Sequence, residues 1–247
     1  MTLAFIHVGK TGGTTIHKLL RNQENYKQYH LANKYKDNEK YILWIRNPIH
    51  RFVSAFNHSY YGVHTDTSTI PEFNLTKCLL PIRLKNSIGK PYMFSKEYDA
   101  LMKQFTSANH LAESLTSTDS TLREKAIQLM NRREEHIFKG IHWYLLKNDF
   151  LNKNRDNILF VGRTEYMTED IRALANKLNI TLDETLKLRE NIYVDKSMKY
   201  LSPLAIENII EWYKNTEYVA LKQLVTDGWI DEATLNMYYT YEFDMHK

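Results

Sequence analysis

Early in the chain the apolar positions change period twice. Leu3-Ala4-Phe5-Ile6 and Val8 form a short apolar run, which predicts a buried parallel strand. Ile16, Leu19 and Leu20 then fall at i, i+3 and i+4, one face of a helix. A second run, Tyr41-Ile42-Leu43-Trp44-Ile45, predicts another strand. The helix after it begins with Pro48 in its first turn, where proline is tolerated. Residues 62–95 carry Pro71, Pro81 and Pro91 with Gly62 and Gly89, and predict a long, partly irregular excursion. Residues 96–153 read as mostly helical, with a charged face over Arg123–Glu135. Ile158-Leu159-Phe160-Val161 predicts a third strand, bounded by Gly162. Met167–Leu178 predicts an amphipathic helix with Glu169 and Asp170 in its first turn. Residues 203–226 predict one further helix, with Pro203 near its start and Gly228 past its end. Strands alternating with helices place the chain in the α/β class, with a central, mainly parallel sheet of about four or five strands flanked by helices.

Composition narrows this little. A chain of 247 residues, 43% apolar and 25% charged, is long enough for one α/β domain spanning 1–247 and is ordinary for a soluble globular protein. No apolar stretch approaches the roughly 18 residues of a membrane span, and no signal-peptide pattern opens the chain. Cys78 is the single cysteine, so an internal disulfide is excluded and a reducing, cytoplasmic setting is expected; a lumenal domain trimmed of an anchor reads the same. Asn57, Asn74 and Asn179 head N-x-[ST] sequons, read as chance occurrences. A net charge of +4, spread without a dense basic block, suits anionic ligands but is too weak to imply nucleic acid.

Charge placement says more than its sum. Between the first strand and its helix lies His7-Val8-Gly9-Lys10-Thr11-Gly12-Gly13-Thr14-Thr15. A glycine-rich loop running into a helix N-terminus, with a lysine in it, is a cradle for a phosphate-like anion. It is not a Walker A loop: Lys10 precedes the paired glycines, and Ala4, not glycine, sits five residues before Gly9. The second dense signal is Arg46-Asn47-Pro48-Ile49-His50-Arg51-Phe52-Val53-Ser54. Arg46 ends a strand, at the sheet edge where open α/β sheets bind ligands, and Ser54 follows on the next helix. Together they form a second anion site. Lys10 and Arg46 lie 36 positions apart (46 − 10), about one strand–helix unit.

These two stretches, H-V-G-K-T-G-G-T-T and I-R-N-P-I-H-R-F-V-S-A-F, resemble the signatures of sulfotransferases that use 3′-phosphoadenosine 5′-phosphosulfate. The nearest likeness is to the carbohydrate, heparan sulfate 2-O-sulfotransferase-like type, with K-T-G-G-T-[ST] and R-[DN]-P-x-x-R-x-x-S. Asn47 stands where aspartate is commoner. The resemblance is strong over 1–61, extends over 155–226 through Phe160-Val161-Gly162-Arg163-Thr164-Glu165, and is absent over 62–135. It implies a P-loop NTPase-like, three-layer domain and an in-line transfer of a sulfo group to a hydroxyl, on a glycan acceptor, with 62–135 as an acceptor-side insertion. Carried over, Lys10, Thr11, Gly12, Gly13, Thr14 and Thr15 hold the 5′ end of the donor. Arg46 and Ser54 hold its 3′-phosphate, adenosine 3′,5′-bisphosphate is the product, and no metal is needed.

An acceptor hydroxyl needs a general base. His30, ahead of the Arg46 strand, resembles the base of the carbohydrate enzymes, and His58 is the runner-up. His7 reads as structural, and His136 and His142 read as core packing. Lys196 and Ser197 read either as a late loop that closes over the nucleotide, as the resemblance implies, or as a solvated charged loop. Arg163 and Glu165 read as a structural pair. Two other readings stay open: a nucleotide or small-molecule kinase with an atypical P-loop, and a non-catalytic nucleotide or glycan binder.

Overall fold

The computed structural model describes residues 2–30, 36, 38–64, 94–133, 135–146, 149–182 and 195–242. Four strands, β1 (Thr2–Ile6), β2 (Tyr26–Tyr29), β3 (Glu39–Ile45) and β4 (Ile158–Arg163), form one sheet in the order β2-β1-β3-β4. Every pairing is parallel; Ile6 lies opposite Tyr29 on one side and Leu43 on the other, and Ile45 lies opposite Arg163. The class is α/β, as expected. Strand β2 is the element the apolar pattern does not announce, because Tyr-Lys-Gln-Tyr at an edge of the sheet is not fully buried.

The helices are α1 (Gly13–Leu20), α2 (Pro48–His64), α3 (Lys96–Met102), α4 (Ala108–Ser114), α5 (Ser120–Met130), α6 (Ile141–Leu145), α7 (Phe150–Asn154), α8 (Met167–Leu178), α9 (Pro203–Tyr213), α10 (Glu217–Thr226) and α11 (Glu232–Met237). Leu3, Phe5, Ile42 and Trp44 form a core cluster with Ile16, Leu19 and Leu20 of α1 and Ile171 and Leu174 of α8. The alternate strand positions Ala4, Ile6, Tyr41, Leu43 and Ile45 are also buried, and Phe150 of α7 meets the Tyr41 ring edge-on at 5.0 Å. Burial of both faces explains why β1 and β3 read as unbroken apolar runs.

The expected helix over 203–226 is two helices. The chain breaks at Thr216, with φ −131° and ψ −85°, and Glu217 enters the interior at the first turn of α10. Neither proline nor glycine marks that break.

Residues divide into two compact units: 1–51 with 134–190 and 210–241, and 52–133 with 191–209 and 242–247. The sheet belongs to the first. The second is helical where it is described, and its helices start on side-chain caps: Ser95 accepts from the Tyr98 amide, Ser107 from His110, and Asp119 from Thr121 and Leu122. Within it Tyr98 donates to Ser59 Oγ at 2.8 Å, and Asn57 is buried and donates to the Met198 carbonyl at 3.1 Å. Most of the predicted excursion, including Asn74 and Cys78, lies outside the described residues.

Candidate active site

Because the four strands are parallel, their carboxyl ends share one edge of the sheet. Along it, in spatial order, come His30 after β2, the loop from His7 after β1, Arg46 after β3 and Thr164 after β4. From β1 the chain goes to one side of the sheet and from β3 to the other, so the topological switch point falls between β1 and β3. Ligands of open α/β sheets bind at such a point.

The loop there is held from several sides. The His7 amide donates to the Tyr29 carbonyl at 2.8 Å, and the Thr11 hydroxyl donates to the Val8 carbonyl at 2.9 Å. Gly12 has φ +81°, a left-handed conformation that glycine adopts without strain, and it leads α1 with no side chain capping the helix. The first amides of α1 are therefore not occupied by a side-chain cap. Gly13 is required for another reason: a Cβ there would overlap the His7 ring. Thr11, Gly13 and Thr15 are buried, Thr14 is exposed, and Lys10 and Gly12 are half-buried. Lys10 itself is left-handed, with φ +69°, which costs an L-residue about 1–2 kcal/mol.

Arg46 accounts for how that conformation is kept. Its guanidinium donates to the Lys10 carbonyl at 3.2 Å, across the switch point. Its Nε is buried and has no hydrogen-bond partner among the described residues. Burial weakens the group's hold on its proton, and the carboxylate of Glu165 is the first charge opposing that shift. A guanidinium stays charged all the same, so the site contains a half-buried cation with unused donor capacity at its Nε.

Asn47 turns out to need its amide. Its Oδ1 accepts from the Ile49 amide at 2.8 Å and caps α2, which aspartate would also do. Its Nδ2 donates to the carbonyls of Thr240 at 2.9 Å and Met237 at 3.4 Å, which aspartate cannot do. Glu165 accepts from the Asn47 amide and from the Tyr238 hydroxyl, both at 3.0 Å. The expected Arg163–Glu165 pair gives way to another: Arg163 makes a forked contact with Asp170, Nη2 at 2.8 Å and Nε at 2.9 Å. Asp170 lies on α8, where its fork geometry matches Arg163 better than a residue two positions along the chain can. Thr164, to which its place in the Phe160–Glu165 stretch assigned no role of its own, directs its hydroxyl at the carbonyls of Thr11 and Ile45, each at 2.9 Å.

The histidines separate by environment. His30 is exposed at the carboxyl end of β2, its ring 4.8 Å from that of His7. His7 is pushed down to about 4 by burial, then by the charges of His30, His17 and Lys10. The Gln28 amide nitrogen lies 2.8 Å from His7 Nδ1, so the neutral ring accepts there. His50 is likewise pushed down to about 4 by burial and by Arg46, with the Tyr241 ring 4.5 Å away. His58 is 8% exposed and lies in the second unit. His142 Nδ1 lies 2.5 Å from the buried Glu217 carboxylate.

Lys10 and Arg46 are thus brought together, and His30 shares their sheet edge. Ser54 is half-buried on α2, in the second unit. Lys196 and Ser197 open a 3-10 turn there, in which the Ser197 hydroxyl donates to Asp195 at 2.9 Å. No group of three or more potential metal ligands occurs among the described residues, and no helix among them is long and apolar enough to cross a membrane.

A family model described as "Sulfotransferase family" matches residues 2–246. No curated protein and no solved structure matches the chain significantly.

Proposed function

The chain belongs to the sulfotransferase family, and from that premise we propose that it transfers a sulfo group from 3′-phosphoadenosine 5′-phosphosulfate to a carbohydrate hydroxyl. The observation that carries this reading is the half-buried Arg46 guanidinium, its Nε buried and unpartnered among the described residues, bonded to the carbonyl of the loop lysine at the switch point. The donor has two separated anionic ends. An uncapped helix start and a half-buried guanidinium are what such a ligand would neutralise.

In this reading the amides of Gly12, Gly13 and Thr14 cradle the 5′-phosphosulfate, with Thr11 and Thr15 shaping the turn. Arg46 and Ser54 take the 3′-phosphate. His30 accepts the acceptor's hydroxyl proton on a ring nitrogen as the acceptor oxygen bonds to sulfur. The bond from sulfur to the 5′-phosphate oxygen breaks, and Lys10 neutralises the charge building on that oxygen, which leaves as adenosine 3′,5′-bisphosphate. The acceptor-side role of 62–135, within a single functional domain over 1–247, belongs to the same proposal.

Thermal unfolding with added nucleotide tests the donor. Adenosine 3′,5′-bisphosphate should raise the melting temperature without Mg²⁺; stabilisation by ATP only with Mg²⁺ would favour a kinase. Transfer of labelled sulfate to a panel of glycans tests the chemistry. Bisphosphate binding with no transfer to any acceptor would favour a binder. Lys10→Ala should cost about 10²–10³ in kcat with bisphosphate affinity nearly kept, as for loss of a single charge-stabilising donor. His30→Ala should cost about 10²–10⁴, as for loss of a general base.

A further inference from the structure

Arg51 belongs to the second sequence constellation, yet no anion-binding role is left for it. It is fully buried and turned away from solvent. Its Nη1 donates to the His136 carbonyl at 2.7 Å, and its Nε lies 3.9 Å from the carboxylate of Glu217, itself fully buried. Glu217 also accepts from the Ile141 amide at 2.6 Å, and the Tyr213 hydroxyl donates to the Ile137 carbonyl at 2.8 Å. Burial alone would raise the Glu217 carboxyl, but the charge of Arg51 and the bonds from His142 and Ile141 outweigh it and hold the group below its usual range. This buried pair fixes the backbone from His136 to Ile141.

That stretch and the helix after it reach the anion loop at one residue. The His136 ring lies so close over Gly9 that a Cβ on Gly9 would overlap it. The buried Tyr144 hydroxyl lies near the Gly9 amide, whose polarity opposes the rise that burial gives its pKa. Gly9 immediately precedes Lys10, whose carbonyl Arg46 holds from the other side. We propose that His136 and Tyr144, braced by the Arg51–Glu217 pair, clamp Gly9 and so set where Lys10 presents its ammonium group. They are positioning residues, and neither is required to touch donor or acceptor. The step from Gly9 to turnover rests on the proposed sulfo transfer; the clamp itself does not.

Tyr144→Phe and His136→Ala test this without disturbing the buried ion pair. Hydrogen exchange of the ligand-free protein should show faster exchange across residues 8–15 in both variants, with the interiors of β1 and β3 unchanged. With labelled donor, kcat should fall about ten- to a hundredfold, the scale of a small misplacement of a reacting group, while donor KM stays within about twofold. Gly9→Ala should be damaging alone and less so in a His136→Ala background, because the ring that Cβ meets is gone. Unchanged exchange across 8–15 in both variants overturns the clamp. Full turnover in a variant whose loop exchange has risen overturns its link to Lys10. If the unmutated protein transfers no sulfo group, the proposed activity falls, and the exchange measurement still decides the clamp.

Discussion

At the scale of single residues, this site depends on which groups are kept neutral and which donors are spent. His7 and His50 titrate near 4 in the folded protein, against 6.5 when unperturbed. The unfolded chain therefore binds more protons between those values, and stability must fall as pH drops from about 6.5 toward 4. His50→Gln should flatten that fall while leaving stability near pH 7 little changed, as urea unfolding across the window would show. Asn47 makes a sharper case, because the residue commoner in the resembling signature should be worse here. Asn47→Asp keeps the α2 cap but leaves the Thr240 and Met237 carbonyls without their donor and brings a charge near Glu165. A loss of about 1–3 kcal/mol is expected, the cost of leaving buried partners unmatched, measured by denaturant unfolding. Nothing in the local sequence marks that amide as necessary, since its partners lie 190 and 193 positions away.

At the scale of elements, legibility follows burial. Leu3–Ile6 of β1 and Tyr41–Ile45 of β3 are apolar throughout because both faces are covered, and α8 shows its period because one face is not; these read directly from the chain. β2 sits at the sheet edge with polar residues and announces nothing, although it places His30 beside the loop. The order Gly9-Lys10 and the strand-end Arg46 were legible as two anion-binding stretches. The bond between them was not, since it depends on the β1–β3 register. The α9–α10 break was hidden for a related reason: what turns the chain there is the burial of Glu217 against Arg51, 166 positions earlier (217 − 51). Removing that carboxylate should show its weight. Glu217→Ala leaves Arg51 buried without its counter-charge and should cost about 3–5 kcal/mol in denaturant unfolding.

At the scale of the whole chain, the family match spans both compact units, while the sheet and its carboxyl edge lie in the first. Fold class and the proposed donor site follow from the stretches around Lys10 and Arg46. Acceptor choice does not, because 62–135 carries no recognised motif and residues 65–93 lie outside the described structure. Variation of acceptor should therefore track this segment. Exchanging 66–92 for a short Gly/Ser linker should change which acceptors are sulfated, or raise acceptor KM, while leaving the melting shift with adenosine 3′,5′-bisphosphate intact.

The Thr164 hydroxyl, directed at the carbonyls of Thr11 and Ile45, also bears on the timing of synthesis. Strands β1, β2 and β3 leave the ribosome early, but β4, which completes the sheet beside β3, begins at residue 158. Until then β3 presents an unpaired, apolar edge, the kind of surface that recruits other chains. The loop from Gly9 to Thr15 acquires one of its fixings only when a residue 153 positions beyond Thr11 has been made.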